Sequence, residues 1–315
     1  MIQDIYPKHL DNHFVECEPQ DNDIVFLFEG SSVLARPDET FDAEHPENGV
    51  LTFPRYEQFI MGITSSEGAN AVDNYAFIYL FAVDDMRFFL AQKSGKLQKG
   101  QLAGEQSDAA IHSEYGSIID GFEFIGVNSF RKARPKEMAF AAITAYHLNG
   151  WYRDNHFCGR CGKPMIHDHK ERMVKCEHCG NMVFPKICPA VIVGVTDGDR
   201  ILLTKYAGRN YKNYALVAGF TEIGETVEET VKREVMEEVG LKVKNITYYK
   251  SQPWALSGSL LMGYFCQLDG DDTIRLEEDE LSVGTWVKAE ELELEDDEIS
   301  LTREMILEFK KRHMK

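Results

Sequence analysis

The stretch from Gly219 to Leu241, GFTEIGETVEETVKREVMEEVGL, constrains this chain most, because it concentrates negative charge within one short predicted helix. Thr226 has the pattern of an N-cap with Glu229 three residues later, which is typical of a capping box. Gly240 suits the position just after the last helical turn. The sequence therefore predicts a glycine-containing turn followed by a helix that ends at about Val239.

The two faces of this predicted helix differ in character. The apolar face consists of valines at every fourth position: Val227, Val231 and Val235. The acidic face consists of three glutamates one turn apart: Glu234, Glu237 and Glu238. Like charges at this spacing destabilise a helix by about a few tenths of a kcal/mol per pair. A solvated acidic face is the ordinary interpretation, but acids beside a capped glycine loop favour a site for a hard divalent cation such as Mg²⁺ or Mn²⁺.

The same stretch resembles the Nudix box, G-x5-E-x7-R-E-U-x-E-E-x-G-U, where U is apolar. It matches at every defined position: Gly219, Glu225, Arg233, Glu234, Val235, Glu237, Glu238, Gly240 and Leu241. The resemblance implies a metal-dependent hydrolase that acts on a nucleoside diphosphate linked to another moiety.

The resemblance also implies roles for the box residues. Glu234 and Glu238 are expected to bind Mg²⁺ or Mn²⁺, Glu237 to share a further ion, and the carbonyl of Ala218 to add an oxygen ligand. The same three glutamates are the expected catalytic residues, and either Glu238 or Glu234 would activate water. Arg233 is expected to pair with Glu225 and stabilise the loop, so that these two residues, with Gly219 and Gly240, have structural roles.

Four cysteines predict a second metal site. Two CxxC pairs, Cys158 with Cys161 and Cys176 with Cys179, have the spacing of a zinc ribbon, in which tetrahedral Zn²⁺ takes four thiolates. With all ligands supplied by the chain, this zinc would be structural. The odd total of 7 cysteines also argues against a disulfide framework and for a reducing compartment.

Length and composition limit the remaining choices. A chain of 315 residues predicts two or three domains, and 43% hydrophobic with 27% charged residues is ordinary for a soluble protein. The sequence has no long apolar run and no pattern of a signal peptide at its start, so we expect no membrane association and a cytoplasmic location. The net charge of −18 argues against a nucleic-acid binder that relies on a basic patch. It does not exclude a site that handles one phosphate-bearing end through metal.

The pattern along the chain predicts four segments. Residues 1–134 form a strand-rich, Nudix-like domain with a hairpin across Asp84-Asp85, and residues 135–154 form a linking helix. Residues 155–184 form the zinc ribbon, and residues 185–315 form the catalytic domain. In the last segment, strands flank the box helix and a terminal helix that begins near Thr302. We therefore predict an α/β/α sandwich around a mixed sheet.

A ribbon directly before the Nudix domain, together with Ser251-Gln252-Pro253-Trp254 shortly after the box, is similar to the NADH pyrophosphatase subfamily. Members carry the motif SQPWPFPxS, whereas this chain reads SQPWALSGS. The substitution of Pro-Phe-Pro by Ala255-Leu256-Ser257 removes an aromatic ring and two conformational restrictions from the loop expected to hold the dinucleotide.

The resemblance implies a set of substrate-binding residues. They are Phe184, Phe220, Gln252, Pro253, Trp254, Ala255, Leu256, Ser257, Gly258, Ser259, Arg131, Glu171 and Thr302. Aromatic members would stack on the bases, although each of them also has an ordinary core interpretation. Glu280 in EEDEL matches an additional metal-binding glutamate of the family, and the neighbouring acids Glu277, Glu278 and Asp279 leave its register open.

The leading hypothesis is hydrolysis of NADH or NAD⁺ to AMP and nicotinamide mononucleotide by a homodimer. A close variant acts on the NAD cap at the 5′ end of RNA. A broader alternative is a diphosphatase for ADP-ribose or dinucleoside polyphosphates. A different class is a regulator that binds zinc and senses nucleotides without catalysis, which the intact glutamate set disfavours.

Overall fold

The computed structural model describes residues 1–42, 45–93, 119–208, 213–277, 279–293 and 297–314. They form two compact units: Asp4–Lys186, and Ile187–Lys315 together with Met1–Gln3. None of the helices in these described ranges combines the length and apolar character needed to cross a membrane.

The unit Asp4–Lys186 is rich in short strands. Its strands are β1 (Leu10–Asp11), β2 (Ile24–Phe26), β3 (Phe28–Glu29), β4 (Ser32–Pro37), β5 (Leu51–Thr52), β6 (Tyr75–Val83), β7 (Met86–Lys93), β8 (Glu123–Gly126), β9 (Ile166–His167), β10 (Val174–Lys175) and β11 (Met182–Val183). Its helices are α1 (Tyr56–Glu67) and α2 (Lys136–Asp154). One sheet has the order β1-β6-β7-β2, with β2 parallel to β7, and a second joins β3, β4, β5 and β8. The predicted β6–β7 hairpin across Asp84-Asp85 is confirmed.

Two helices of this unit contribute to its core. Helix α1 was not predicted, and it buries Phe59 and Ile63, one turn apart, against strand residues that include Val25 and Leu34. Helix α2 corresponds to the predicted linking helix and lies within the same unit as the strands and the ribbon. It buries much of its length, including Phe140. Apolar residues on several sides of α2 therefore make it a core helix.

The ribbon forms a separate three-stranded antiparallel sheet in the order β11-β10-β9. Val174 in its central strand is buried, and the two cysteine turns lie outside the strands. Such a small sheet has little core of its own, so the cysteine cluster is needed to hold its turns together.

The unit that contains Ile187–Lys315 is built on a mixed sheet. Its elements are β12 (Cys188–Asp197), β13 (Arg200–Tyr206), β14 (Val217–Phe220), α3 (Val227–Val239), β15 (Val243–Trp254), β16 (Ser259–Leu268), β17 (Leu281–Lys288) and α4 (Leu301–His313). The order is β15-β16-β12-β13-β17, and β14 pairs with the free part of β12. Strands β12 and β16 are parallel, and the other pairs are antiparallel.

Alternation along the central strand places a helix on each face of this sheet. Val191, Val193 and Val195 of β12 belong to the core that α3 covers, whereas Ile192 belongs to the core that α4 covers. Successive side chains of a strand point to opposite faces, so one buried strand serves both cores. The predicted α/β/α sandwich is confirmed.

Glycines let α4 approach its face of the sheet closely. A Cβ at Gly263 would lie 2.7 Å from Met305 Sδ, and one at Gly194 would lie 2.8 Å from the ring of Phe265. Met305 is fully buried in the same core. The absence of a side chain at Gly263 therefore sets the depth at which α4 packs, whereas Gly194 makes room for the ring of Phe265 in β16.

Candidate active site and zinc ribbon

The box helix has the ends that its sequence predicts. Thr226 Oγ1 accepts the backbone N–H of Glu229 at 3.3 Å, and Glu229 Oε2 accepts that of Thr226 at 2.8 Å. At the other end Gly240 adopts the left-handed conformation, with φ of 70°, and donates to the carbonyl of Met236. These caps satisfy backbone groups at both termini and fix where the acidic turns begin.

Arg233 ties the helix to the preceding loop. Its Nε donates to Glu225 Oε1 at 2.5 Å, and a terminal nitrogen donates to Glu225 Oε2 and to the carbonyl of Phe220, each at 2.9 Å. Glu225 also accepts the backbone N–H of Glu222 and the hydroxyl of Thr230. The Arg233 guanidinium, followed by these other donors, lowers the pKa of Glu225 to about 2. The predicted pairing of Arg233 with Glu225 is present.

The same arginine holds two of the proposed metal-binding acids. Its other terminal nitrogen donates to Glu234 Oε1 at 2.8 Å and to Glu237 Oε2 at 2.9 Å. Glu234 and Glu238 are buried, with 8% and 4% of their surface exposed, whereas Glu237 is exposed. Burial raises the pKa of Glu234, and Arg233 partly offsets this. The two buried carboxylates and the exposed one thus occupy one face of α3.

The Glu234 carboxyl group lies against the backbone of β14. A Cβ built at Gly219 would be only 1.9 Å from Glu234 Cδ. Gly219 pairs with Val191 and its neighbour Ala218 pairs with Ile192, so the backbone at this point is held by the sheet. The box glycine is therefore required because a glutamate occupies the space of its missing side chain, and the predicted Ala218 position is directly adjacent.

The loop that carries Glu280 is anchored on the end of the same helix. The backbone N–H of Glu277 donates to the carbonyl of Glu238 at 3.0 Å, and that of Arg275 donates to the carbonyl of Val239 at 2.9 Å. Glu280 lies close enough to contribute to the raised pKa of Glu234. Glu278 lies outside the described residues. The structure thus brings Glu280 towards the box acids.

The SQPW segment does not form the loop that the sequence analysis expected. Ser251 to Trp254 end strand β15, residues 255–257 make a single helical turn, and Gly258 completes a hairpin to β16 with φ of 64°. The pairing of Trp254 with Ser259 closes this hairpin. Sheet hydrogen bonds therefore restrict the segment even though Pro-Phe-Pro is absent.

The side chain of Gln252 is fully buried and makes hydrogen bonds within the Nudix unit. Nε2 donates to the carbonyl of Ile299 at 2.7 Å and to Gln3 Oε1 at 3.1 Å, and Oε1 accepts the backbone N–H of Leu301 at 2.8 Å. Gln252 thus connects the start of α4 to the end of β15 through its side-chain amide, and its role in substrate binding stays a prediction. Ser259 is also buried and bonds to Ser257 through its hydroxyl.

The remaining substrate candidates fall into two groups. Within the Nudix unit, Phe220 is 52% exposed at the end of β14, Pro253 is exposed, and Thr302 lies in the first turn of α4, next to Leu301. Trp254, Ala255 and Leu256 are half-buried in the hairpin. The other three candidates belong to the unit Asp4–Lys186: Arg131, Glu171 and Phe184. Their roles stay predictions.

Two residues that sequence reasoning missed support the site. Thr230 is fully buried on α3 and its hydroxyl reaches Glu225 Oε2 at 3.0 Å, a contact that the i to i+5 spacing could have suggested. Gln3 lies in the Nudix unit, and its side chain bonds with that of Gln252, 249 residues away. No local sequence signal indicates a contact at that separation.

The four cysteines form two equivalent turns. Cys158 N donates to Lys163 O and Gly162 N to Cys158 O, and the same pattern recurs from Cys176 to Asn181. The four Sγ atoms lie within 4.8 Å of one another, with separations of 3.6 Å between Cys158 and Cys179 and 3.5 Å between Cys161 and Cys176. Thiolates about 2.3 Å from a tetrahedral Zn²⁺ would be about 3.8 Å apart. The cluster therefore fits structural zinc.

Comparison with known proteins supports both the zinc ribbon and the Nudix domain. Residues 153–184 match the family described as NADH pyrophosphatase zinc ribbon domain, and residues 186–309 match the NUDIX domain family. A protein named NAD-capped RNA hydrolase NudC from Actinobacillus succinogenes is 42% identical over 159 residues, which is 48% of this chain and 60% of that protein. Its namesake from Photorhabdus laumondii is 38% identical over 50% of this chain and 62% of that protein.

The chain thus spans less than two thirds of the length of these relatives. Among solved structures, a NUDIX hydrolase from Nitrosomonas europaea aligns with a TM-score of 0.41 at 19% identity, over 50% of this chain and 92% of that one. The box, its capped helix and the cysteine cluster agree with the two family matches. The chain therefore contains a Nudix domain over residues 186–309, directly after an NADH pyrophosphatase zinc ribbon domain over residues 153–184.

Proposed function

We propose that this chain hydrolyses the pyrophosphate bond of NADH or NAD⁺ and releases AMP and the corresponding nicotinamide mononucleotide. The observation that carries the proposal is the placement of two buried carboxylates, Glu234 and Glu238, on one face of α3 beside the backbone of Gly219. Buried acids of like charge need a cation nearby. An enzyme that binds a metal pyrophosphate complex supplies one.

The donor set fits Mg²⁺ or Mn²⁺, because every candidate ligand is an oxygen. Glu234, Glu237, Glu238, Glu280 and the carbonyl of Ala218 would hold the ions. Bound divalent metal would neutralise negative charge on the two phosphates. Arg233 Nη1 already donates to Glu234 and Glu237, which shows that these two acids accept a shared cationic partner.

In this reaction one water adds across the P–O–P linkage, so that one phosphate gains the hydroxyl and the other leaves with the bridging oxygen. A carboxylate of α3 takes the proton from the attacking water, and Glu238 and Glu234 are the two candidates. The ion pair between Arg233 and Glu225 holds α3 against the preceding loop during the reaction. The reaction needs no covalent intermediate on the chain.

We propose that the hairpin around Trp254, with Phe220 and Thr302, binds the nucleoside ends. Phe220 and Trp254 offer ring faces to the bases. The family resemblance also implies a role in substrate binding for three residues of the unit Asp4–Lys186: Arg131, Glu171 and Phe184. Both relatives described above are named NAD-capped RNA hydrolases, which favours the NAD cap of RNA as an additional substrate.

A product-resolved panel tests these assignments. Purified chain with Mg²⁺ or Mn²⁺ is given NADH, NAD⁺, ADP-ribose and NAD-capped RNA, and AMP, nicotinamide mononucleotide and 5′-monophosphate RNA are quantified. We expect AMP from NADH, and a loss of about 100-fold or more for Glu238→Gln. Glu228→Gln, an exposed acid on the same helix, is the matched control and is expected to behave as wild type. Undiminished turnover by Glu238→Gln would contradict the assignment of the site.

The panel also separates the substrate alternatives. Residues 255–257 contribute no aromatic ring to the hairpin, an observation that favours a broader dinucleotide or ADP-ribose diphosphatase. A higher kcat/KM for ADP-ribose than for NADH would support that second function. A higher kcat/KM for NAD-capped RNA would identify the capped transcript as the preferred substrate. If none of the compounds is turned over, the hypothesis of a regulator that senses nucleotides without catalysis would be favoured.

We further propose a homodimer in a reducing compartment such as the cytoplasm. Four large apolar side chains of the ribbon segment are more than two fifths exposed: Phe157, Ile166, Met182 and Phe184. Exposed apolar groups on so small a surface are typical of an interface. The cysteine cluster needs reduced thiols to bind zinc, in keeping with a reducing location. Light scattering after size exclusion measures the oligomer directly.

A further inference from the structure

The unit Asp4–Lys186 contains a cavity that the proposed hydrolysis does not use. It has a volume of about 340 Å³ and lies between β3, β8, the ends of β6 and β7, and the C-terminal turns of α2. Volumes from about 300 Å³ upward are typical of sites for small organic ligands. Every residue that lines the cavity belongs to this one unit.

The floor of the cavity is part of a packed core. Leu27, Tyr75, Ala91 and Phe124 line it, and all four also belong to the core cluster under α1. The Tyr75 ring is held edge-on by Phe59, at 5.4 Å between centroids. Because Tyr75 is only 8% exposed, the half-buried ring of Phe124 is the aromatic surface that the cavity offers to a planar base.

The mouth of the cavity carries three basic side chains and one acid. Lys93, Arg153 and His156 line it, together with Glu29. Lys93 Nζ lies 5.6 Å from the centroid of the Tyr75 ring, so a positive charge stands beside the aromatic floor. In a chain with a net charge of −18, a local excess of basic groups is unexpected on composition alone.

Nearby acidic side chains and the C-terminal end of α2 partly neutralise this positive charge. Lys93 pairs with Glu67 at 3.3 Å and Arg153 with Asp154 at 2.9 Å. The C-terminal end of a helix also carries partial negative charge, and Arg153 and His156 lie at the end of α2. An anion would therefore bind here only if the basic groups act together, which makes each of them sensitive to substitution.

Two amides complete the lining. Gln92 and Asn149 each offer a donor and an acceptor at the wall of the cavity. The apolar floor matches the face of a nucleotide base, and the amide groups at the wall match its polar edge. The basic groups at the mouth match the phosphate. We propose that this cavity is a second binding site, separate from the Nudix site, for a nucleoside monophosphate.

Calorimetry and hydrogen exchange on the full zinc-loaded chain test the proposal. The probes are AMP, adenosine and inorganic phosphate, without added Mg²⁺ or Mn²⁺. We expect AMP to protect backbone amides in residues 24–30 and 147–156, and adenosine or phosphate alone to bind at least about 10-fold more weakly, since each lacks one part of the recognised group. Equal binding of phosphate and AMP would overturn the assignment to a nucleotide, and absence of protection in both segments would overturn the site.

Substitutions localise the effect. Lys93→Gln combined with Arg153→Gln should raise the Kd for AMP at this site at least about 10-fold, and Asn149→Trp should fill the wall and remove the protection. Lys170→Gln, an exposed basic residue on the ribbon of the same unit, is the control and should change neither value. Unchanged protection in both cavity variants would contradict the proposal. Because binding is read without turnover, this test stands whether or not NADH is the substrate.

Discussion

Replacement of Gly219 by alanine is the sharpest test of the active-site geometry. The added Cβ would lie 1.9 Å from Glu234 Cδ, and 2.0 Å and 2.2 Å from its two carboxyl oxygens. Gly219 is not at a positive φ, so alanine introduces no backbone strain of its own. The backbone cannot retreat easily, because Gly219 pairs with Val191 in the sheet. The Glu234 carboxyl group must therefore move.

The size of that movement follows from the contact distance. Ordinary van der Waals contact begins near 3.4 Å, so the carboxyl carbon must shift from 1.9 to 3.4 Å, or about 1.5 Å. A misplacement of about 1 Å in a reacting constellation lowers the rate on the order of 100-fold. This corresponds to about 2.7 kcal/mol of transition-state stabilisation. We therefore expect Gly219→Ala to reduce kcat/KM by at least about 100-fold.

Two measurements are needed, because loss of activity alone has many causes. AMP release from NADH gives kcat/KM, and titration with Mn²⁺ followed by electron paramagnetic resonance gives metal affinity without turnover. Both should fall in Gly219→Ala, while the thermal midpoint should change by only a few degrees, as is usual for about 1 kcal/mol. Gly126→Ala is the control, since a Cβ there meets nothing within 4 Å.

The reasoning would be refuted if Gly219→Ala kept more than a third of wild-type kcat/KM together with an unchanged Mn²⁺ affinity. Glu234 would then not be a ligand whose position matters. A loss of activity with full Mn²⁺ affinity would also contradict the argument, since the displaced group is a proposed metal ligand.

Three further predictions concern the ribbon, the fold and the box. Cys176→Ser should lower bound zinc, measured by inductively coupled plasma mass spectrometry, to well below one ion per chain, whereas Cys188→Ser, outside the cluster, should keep it. Gln252→Ala should lower the free energy of unfolding in urea by about 1–3 kcal/mol, because it leaves the buried Leu301 N–H without its acceptor and removes one of the two donors to Ile299 O; no loss would contradict its role. The pKa of Glu225 is lowered from its ordinary value of 4.5 to about 2 in the folded state. Ionised Glu225 therefore stabilises the fold fully above pH 4.5, and this stabilisation is lost as the pH falls towards 2. The difference in unfolding free energy between wild type and Glu225→Gln should therefore shrink between pH 4.5 and 2, and a difference that does not change with pH would refute the pairing.

Local features of the fold were predictable because their causes are local. The helix caps of α3 depend on residues three positions apart, and the zinc knuckles depend on two CxxC pairs. The division of the core between α3 and α4 follows from simple alternation of apolar residues along β12. In each case the interacting groups lie within a few residues or follow a regular period, so the pattern is visible without the fold.

Contacts between distant segments were not predictable. Gln252 stood in a motif that the family resemblance assigns to substrate, yet its amide spans β15, α4 and Gln3. Helix α1 was not predicted, since its apolar residues Phe59 and Ile63 pack in a core whose other members lie far along the chain. A side chain's function depends on which groups surround it, and a single sequence does not state that.

The acidic face of α3 illustrates both what the sequence determines and what only the tertiary structure decides. The sequence determined that Glu234, Glu237 and Glu238 share a helix face, that the helix is capped, and that oxygen ligands for a divalent cation are concentrated there. Only the tertiary structure decided that Glu234 and Glu238 are buried while Glu237 is exposed, that Arg233 bridges two of them, and that Glu234 occupies the space above Gly219. The physical reason is that helix periodicity sets directions within one element, whereas burial and charge environment depend on the strand and loop that pack against it.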